Sequence, residues 1–88
     1  MYYIIVYDIA SERRLPKVLK TCRRYLNWIQ NSVFEGELTE GQFEKLVSEL
    51  KKKINKEEDS VIFYSVSNQK WLSKEIIGVE KNPLDNFL

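Results

Sequence analysis

The sequence predicts an α+β fold in which two helices cover one face of an antiparallel sheet. Residues 2–8, YYIIVYD, are aromatic and β-branched with a period of two, as in a strand. Two later segments, 15–26 and 39–54, instead repeat their apolar residues at helical spacing. Further runs of strand formers lie between and after them, so the order reads β-α-β(β)-α-β-β. That order fits the split βαβ, or ferredoxin-like, sandwich.

In the first strand Tyr2, Ile4, Val6 and Asp8 share one face, and Tyr3, Ile5 and Tyr7 the other. Both faces are apolar or aromatic, which suits a central strand covered on both sides. Asp8 is then the tip of a buried strand. Leu15, Val18, Leu19, Cys22 and Leu26 form the apolar face of the first helix. Pro16 has no amide to donate, so the regular helix starts close to it, after a tight turn over 11–14. Asn27 tolerates a left-handed conformation and is the expected C-terminal cap.

The stretch NWIQNSVFEGEL alternates again, as one bent strand or a hairpin of two. Its break falls at Asn31 or Gly36, and Gly36 equally fits a bulge. Thr39 and Gln42 form a capping box for the second helix. Phe43, Leu46, Val47, Leu50 and Ile54 follow on one face, and Lys51, Lys52 and Lys53 crowd the last turn, where the helix dipole favours cations. NKEEDS reads as a loop, SVIFYSVS as a strand, SNQK as a turn and WLSKEIIGVE as a closing strand. A single domain over 1–80 and an aperiodic tail over 81–88 complete the chain.

At 88 residues the chain buries only roughly 60–65% of its unfolded surface. Cys22 is the only cysteine and there is no histidine, so neither a disulfide within the chain nor a cysteine–histidine zinc staple supports the fold. Association is the remaining source of buried area. With both helices on one face of the sheet, the other apolar face is left bare, which predicts a two-fold homodimer. No apolar run approaches the ~18 residues of a membrane span, and the N-terminal run lacks the flanks of a signal peptide. A soluble protein of the reducing cytoplasm, with no membrane partner, is expected.

The net charge is only +1, but its distribution is uneven. Arg13, Lys17, Lys20 and Arg24 fall at i, i+4, i+7 and i+11, one stripe opposite the apolar face of the first helix, with Arg14 and Arg23 beside it. Glu12 is the only acid between Asp8 and Glu35. Such a stripe is either a solvated face or a surface for phosphates, and its single sign favours neither by itself. Asp8 likewise has two readings. It either caps the following turn by accepting backbone hydrogen bonds, or it ligates magnesium, which takes one or two carboxylates with waters and phosphates. Without histidine, hydrolysis would rely on metal-activated water or a carboxylate. Cys22 faces the core, and Trp28 and Phe34 fit core packing better than base stacking. A small metabolite-binding regulatory domain is disfavoured, because it has no use for a one-sign stripe.

The strand ending in YDI, the arginines after it and the segment IQNSVFEGEL together resemble CRISPR-associated protein 2, the smaller of two core spacer-acquisition proteins. The resemblance extends from Met1 to about Gly78. It implies a ferredoxin-like fold and a homodimer in which the closing strand, within residues 74–80, crosses to the partner's sheet. It also implies a role in CRISPR adaptation and antiviral defence, with the dimer bridging dimers of the larger integrase protein on duplex prespacer DNA. A Mg2+-dependent endonuclease activity on RNA or DNA is implied as well, with a non-catalytic nucleic-acid scaffold as the alternative. By motif, Asp8 becomes the catalytic and metal position, with Tyr7 beside it. Arg13 and Arg14 become phosphate contacts, joined by Lys17, Lys20 and Arg24 of the stripe, and Ser32 and Phe34 match the S and F of SVF. Many members place glycine after the first helix, where this chain has Tyr25, Leu26 and Asn27, and Pro16 stands in a region that is often basic.

Overall fold

The computed structural model describes residues 1–83. Its elements are β1 (Tyr2–Asp8), α1 (Leu15–Tyr25), β2 (Asn27–Gln30), β3 (Val33–Glu37), α2 (Glu40–Lys53) and β4 (Ser60–Val66), then a 3₁₀ turn, Gln69–Trp71. The strands form one antiparallel sheet in the order β2-β3-β1-β4, the ferredoxin-like topology expected from the sequence. β1 is central, bonded to β3 on one side and to β4 on the other.

The two faces of β1 have different fates. Ile5 and Tyr7 pack into the core with Val18 and Cys22 of α1, Phe34 of β3, and Leu46 and Leu50 of α2. Tyr3 stacks on Phe43 of α2 with ring centroids 4.5 Å apart, and Phe43 meets Phe63 of β4 edge-on. The opposite face is only partly covered. Ile4 and Val6 lie in register with Tyr64 and Ile62, which are 57% and 45% exposed. The bare face inferred from the sequence is therefore present in the chain.

α2 has the expected capping box, with Thr39 Oγ1 accepting from Gln42 N and Gln42 Oε1 accepting from Thr39 N. α1 begins at Leu15, with Pro16 in its first turn, after a turn in which Arg14 N and Leu15 N both donate to Ser11 O. Leu15 itself is exposed, so the apolar face is one residue shorter than its periodicity suggests.

Three expectations require correction. Asn27 does not cap α1, because the chain leaves the helix directly in extended form at Leu26, whose side chain is buried. The left-handed residue is Asn31, at φ 43°, and it makes the β2–β3 turn with Ser32. Trp28 Nε1 donates to Asn31 O across that turn, and the irregular pairing lies in β2 between Trp28 and Gln30. Gly36 is neither the break nor a bulge. It lets β3 pass close to Leu26, whose Cδ2 stands 3.0 Å from where a Cβ would project. Finally, the closing segment forms no strand among the described residues. Strand propensity is realised only where a neighbour offers N–H and C=O groups, and here residues 72–83 are anchored by side chains instead. Lys74 Nζ donates to Glu35 Oε2 and Asn82 Nδ2 to the Trp28 carbonyl. Part of the predicted tail, residues 84–88, lies outside the described residues.

Candidate functional site at the tip of the first strand

β1 ends at Asp8, in register with Ser60, the first residue of β4. The chain then turns through residues 9–14 into α1. A turn of this kind leaves backbone donors that need acceptors, and an aspartate just before it is the default supplier. Here another residue supplies them. Asp59, from the loop between α2 and β4, accepts from Ala10 N at 2.9 Å and from Asn55 N at 2.8 Å. It also accepts from Arg14 Nε at 2.8 Å and Arg14 Nη2 at 3.0 Å. The Asp59 side chain is wholly buried, and the Arg14 guanidinium, with these backbone donors, holds its carboxyl well below the usual aspartate range. Asp8 is exposed, and its carboxylate makes no hydrogen bond or ion pair among the described residues.

The basic residues divide in two. Arg14 is bound to Asp59 and touches Glu58 at 3.3 Å. Arg24 pairs with Glu49 of α2, which also accepts from the Tyr25 hydroxyl. Those contacts, the Tyr25 bond foremost, hold the Glu49 carboxyl below its ordinary value. Arg13, Lys17 and Lys20 are exposed and have no acidic partner among the described residues. The stripe is thus of one sign along α1 but is partly neutralised across it. A cation read from the sequence only as part of the last turn of α2 joins here: Lys53 Nζ donates to Thr21 Oγ1 at 2.6 Å, beside the Lys17 carbonyl to which Thr21 donates.

Comparison with known proteins places this arrangement. The family described as CRISPR associated protein Cas2 matches residues 1–74. The chain belongs to the Cas2 family. A protein of Dictyoglomus turgidum named CRISPR-associated endoribonuclease Cas2 is 53% identical over 88 residues, covering 100% of both chains. One of Thermotoga maritima with the same name is 50% identical, covering 100% of this chain and 99% of its own. A crystal structure of Cas2 superposes with a TM-score of 0.86 at 39% identity, covering 96% of this chain and 93% of the other. The structure of Streptococcus pyogenes Cas2 at pH 6.5 gives 0.75 at 30% identity, covering 86% and 99%.

The residues that carried the resemblance take up distinct positions in this Cas2 fold. Tyr7 and Phe34 stack in the core, centroids 6.2 Å apart, on the helix side of the sheet. Burial pushes Tyr7 up to about 12, so its hydroxyl keeps its proton at neutral pH. Ser32 meets Tyr7 through the backbone, its carbonyl accepting from Tyr7 N at 3.2 Å. By strand alternation Asp8 falls on the opposite, uncovered face with Ile4 and Val6. Tyr7, Ser32 and Phe34 thus form the support beneath the strand tip, while Asp8 stands on its open side.

The residues missed by sequence reading are Asp59 and Glu35. Glu35 is buried on β3, accepting from the Tyr2 hydroxyl at 2.6 Å and from Lys74. A carboxylate inside a run of strand formers was the available signal for Glu35. For Asp59 the only sign was an aspartate at the junction of loop and strand. Among the described residues no three metal-ligating side chains cluster, and the donor Asp8 would offer a cation is a single exposed carboxylate. That donor set fits magnesium, which binds through one or two carboxylates and fills its shell with water and phosphate oxygens. Among the described residues no helix is long and apolar enough to cross a membrane.

Proposed function

We propose that this Cas2 chain is a metal-dependent endonuclease that cleaves a phosphodiester bond at Asp8. The observation that carries this is the division of labour at the strand tip. Asp59 caps the turn, and Asp8 is exposed with no bond of its own among the described residues. The endoribonuclease names of its relatives support the reaction class. Asp8 would hold magnesium, whose contribution is charge stabilisation at the phosphate and an activated water. Arg13, the nearest uncommitted cation in sequence, would bind the substrate phosphate, with Lys17 and Lys20 tracking the backbone along α1. The chain has no histidine to act as a general base, so the protein's part is to bind, orient and balance charge.

A second copy is the expected partner. The open sheet face, with Ile4, Val6, Ile62 and Tyr64, has the apolar character of a dimer surface, and Asp8 lies at its rim. A two-fold pairing there would bring two such carboxylates toward one seam. The wider role we infer is in CRISPR adaptation, with the dimer joining the larger integrase protein on duplex prespacer DNA. A second reading, a non-catalytic scaffold for nucleic acid, is favoured by the exposed and acid-free Arg13, Lys17 and Lys20.

The deciding experiment titrates magnesium and manganese against cleavage of single- and double-stranded RNA and DNA, with Asp8→Asn as control. Metal-dependent cleavage lost in Asp8→Asn is the expected result. Cleavage that survives the substitution removes Asp8 from the chemistry. No cleavage of any substrate leaves the scaffold reading standing.

A further inference from the structure

The default partner of an aspartate carboxylate at a turn is the backbone N–H two residues on, which closes an Asx turn. For Asp8 that donor is the amide of Ala10. In this chain the same amide is occupied, donating to Asp59 Oδ1 at 2.9 Å. Asp59 arrives from a loop 49 residues away and is locked there by Asn55 N and by both Nε and Nη2 of Arg14. Its own loop is held in turn: Asp59 N donates to Asn55 O at 2.8 Å, and Asn55 Nδ2 to Glu58 Oε1 at 2.9 Å. We infer that Asp59 is a positioning residue whose contact with Ala10 keeps the Asp8 carboxylate out of the turn and available to a cation. The consequence for metal binding rests on the reading of Asp8 proposed above; the exchange of hydrogen-bond partners does not.

Without Asp59 the Ala10 donor is released beside Asp8, and an exposed carboxylate is the nearest acceptor along the chain. Asp8 then becomes a turn cap. A carboxylate oxygen engaged by a backbone amide has lost part of its capacity for a cation, and its orientation is set by the turn. Residues that act behind a metal ligand in this way typically change metal affinity by roughly 10–100-fold.

Two readouts on the full chain test this. The first is hydrogen-exchange protection of the Ala10 amide, measured without metal. Protection is expected in the unsubstituted chain, in Asp8→Ala and in Asp59→Ala, and is expected to vanish only in the double variant, where neither carboxylate remains. Loss of protection in Asp59→Ala alone overturns the inference. The second is titration with Mn2+ alone, read by broadening of the Asp8 and Ile9 amide signals. The midpoint is expected to rise roughly tenfold in Asp59→Ala. Thr39→Ala, which destabilises a distant helix cap, serves as the control and should leave the midpoint in place. An equal rise in both variants would reduce the role of Asp59 to general stability and overturn the inference. Absence of Mn2+ broadening at Asp8 in the unsubstituted chain counts against the metal reading alone, since the Ala10 protection pattern decides for or against Asp59 without metal. If the alanine form does not fold, the protection comparison is repeated in Asp59→Ala combined with Arg14→Met, which removes the cation left unpaired, with and without Asp8→Ala; protection retained in both of those forms overturns the inference.

Discussion

Asp59 and Arg14 join the two loops at the tip of the sheet through two side-chain hydrogen bonds, of 2.8 and 3.0 Å. The aspartate is wholly buried, and its carboxyl is held well below the ordinary 3.8, first by Arg14 and then by the backbone donors of Asn55 and Ala10. A depressed carboxylate contributes stability that is fully present above its unfolded value and lost as pH falls through the folded one. The denaturant midpoint is therefore expected to hold near neutrality and decline from about pH 4 toward about pH 2. Asp59→Asn should lower the midpoint at neutral pH and flatten this acid limb. Denaturant titrations of both forms across the range make the comparison, and identical acid limbs would remove Asp59 from the acid response.

Cys22 sits on α1 with no exposed surface, and burial pushes its thiol up to about 12. Since the thiolate is the reactive form, native protein should resist a thiol reagent at mildly alkaline pH, reacting only as fast as it unfolds. Cys22→Ser places a hydroxyl in the same apolar site and is expected to cost about 1–3 kcal/mol of stability. A rapid native-state reaction would show that the packing of Val18, Cys22 and Phe34 is looser than the structure has it.

How far the sequence could be read depended on how local the signal was. The β1 alternation and the Thr39–Gln42 box involve residues near one another in the chain, and both appear in the structure as read. The β2–β3 break was ambiguous because Asn31 and Gly36 are both turn residues. The close approach to Leu26 that gives Gly36 its place is a tertiary fact. The role of Asp59 was invisible for a similar reason, since its contact with Ala10 spans 49 residues. Charge along α1 was readable, but the Glu49 that neutralises Arg24 lies 25 residues on, in α2. Residues 72–80 kept strand composition without a ladder, because propensity cannot supply the neighbouring strand.

The capping box itself offers a measurable contribution. Thr39 Oγ1 satisfies the Gln42 amide at 3.1 Å, and Gln42 Oε1 satisfies that of Thr39 at 2.9 Å. Thr39→Ala leaves the Gln42 amide at the start of α2 without its side-chain acceptor and should lower stability by about 1 kcal/mol. The loss should appear in chemical denaturation with an unchanged slope, since the surface exposed on unfolding is the same. A neutral result would mean that water replaces the threonine oxygen at this exposed helix start.

The division among the basic residues separates a phosphate surface from an ordinary solvated one. Lys17 and Lys20 are exposed and face no acid, whereas Arg24 is engaged by Glu49. On duplex DNA each phosphate contact contributes roughly −0.9 to the slope of log K against log salt. Reversing both lysines, Lys17→Glu with Lys20→Glu, should weaken binding and flatten that slope by about 2. Arg24→Glu should act differently: it sets two carboxylates against each other on α1 and α2, lowering the thermal midpoint while changing the slope less than the lysine pair does. Fluorescence anisotropy with a labelled duplex over a salt series provides the slopes, and thermal unfolding provides the midpoints. If the lysine pair leaves the slope unchanged, the face of α1 is solvated surface, and the phosphates must be sought elsewhere on the chain.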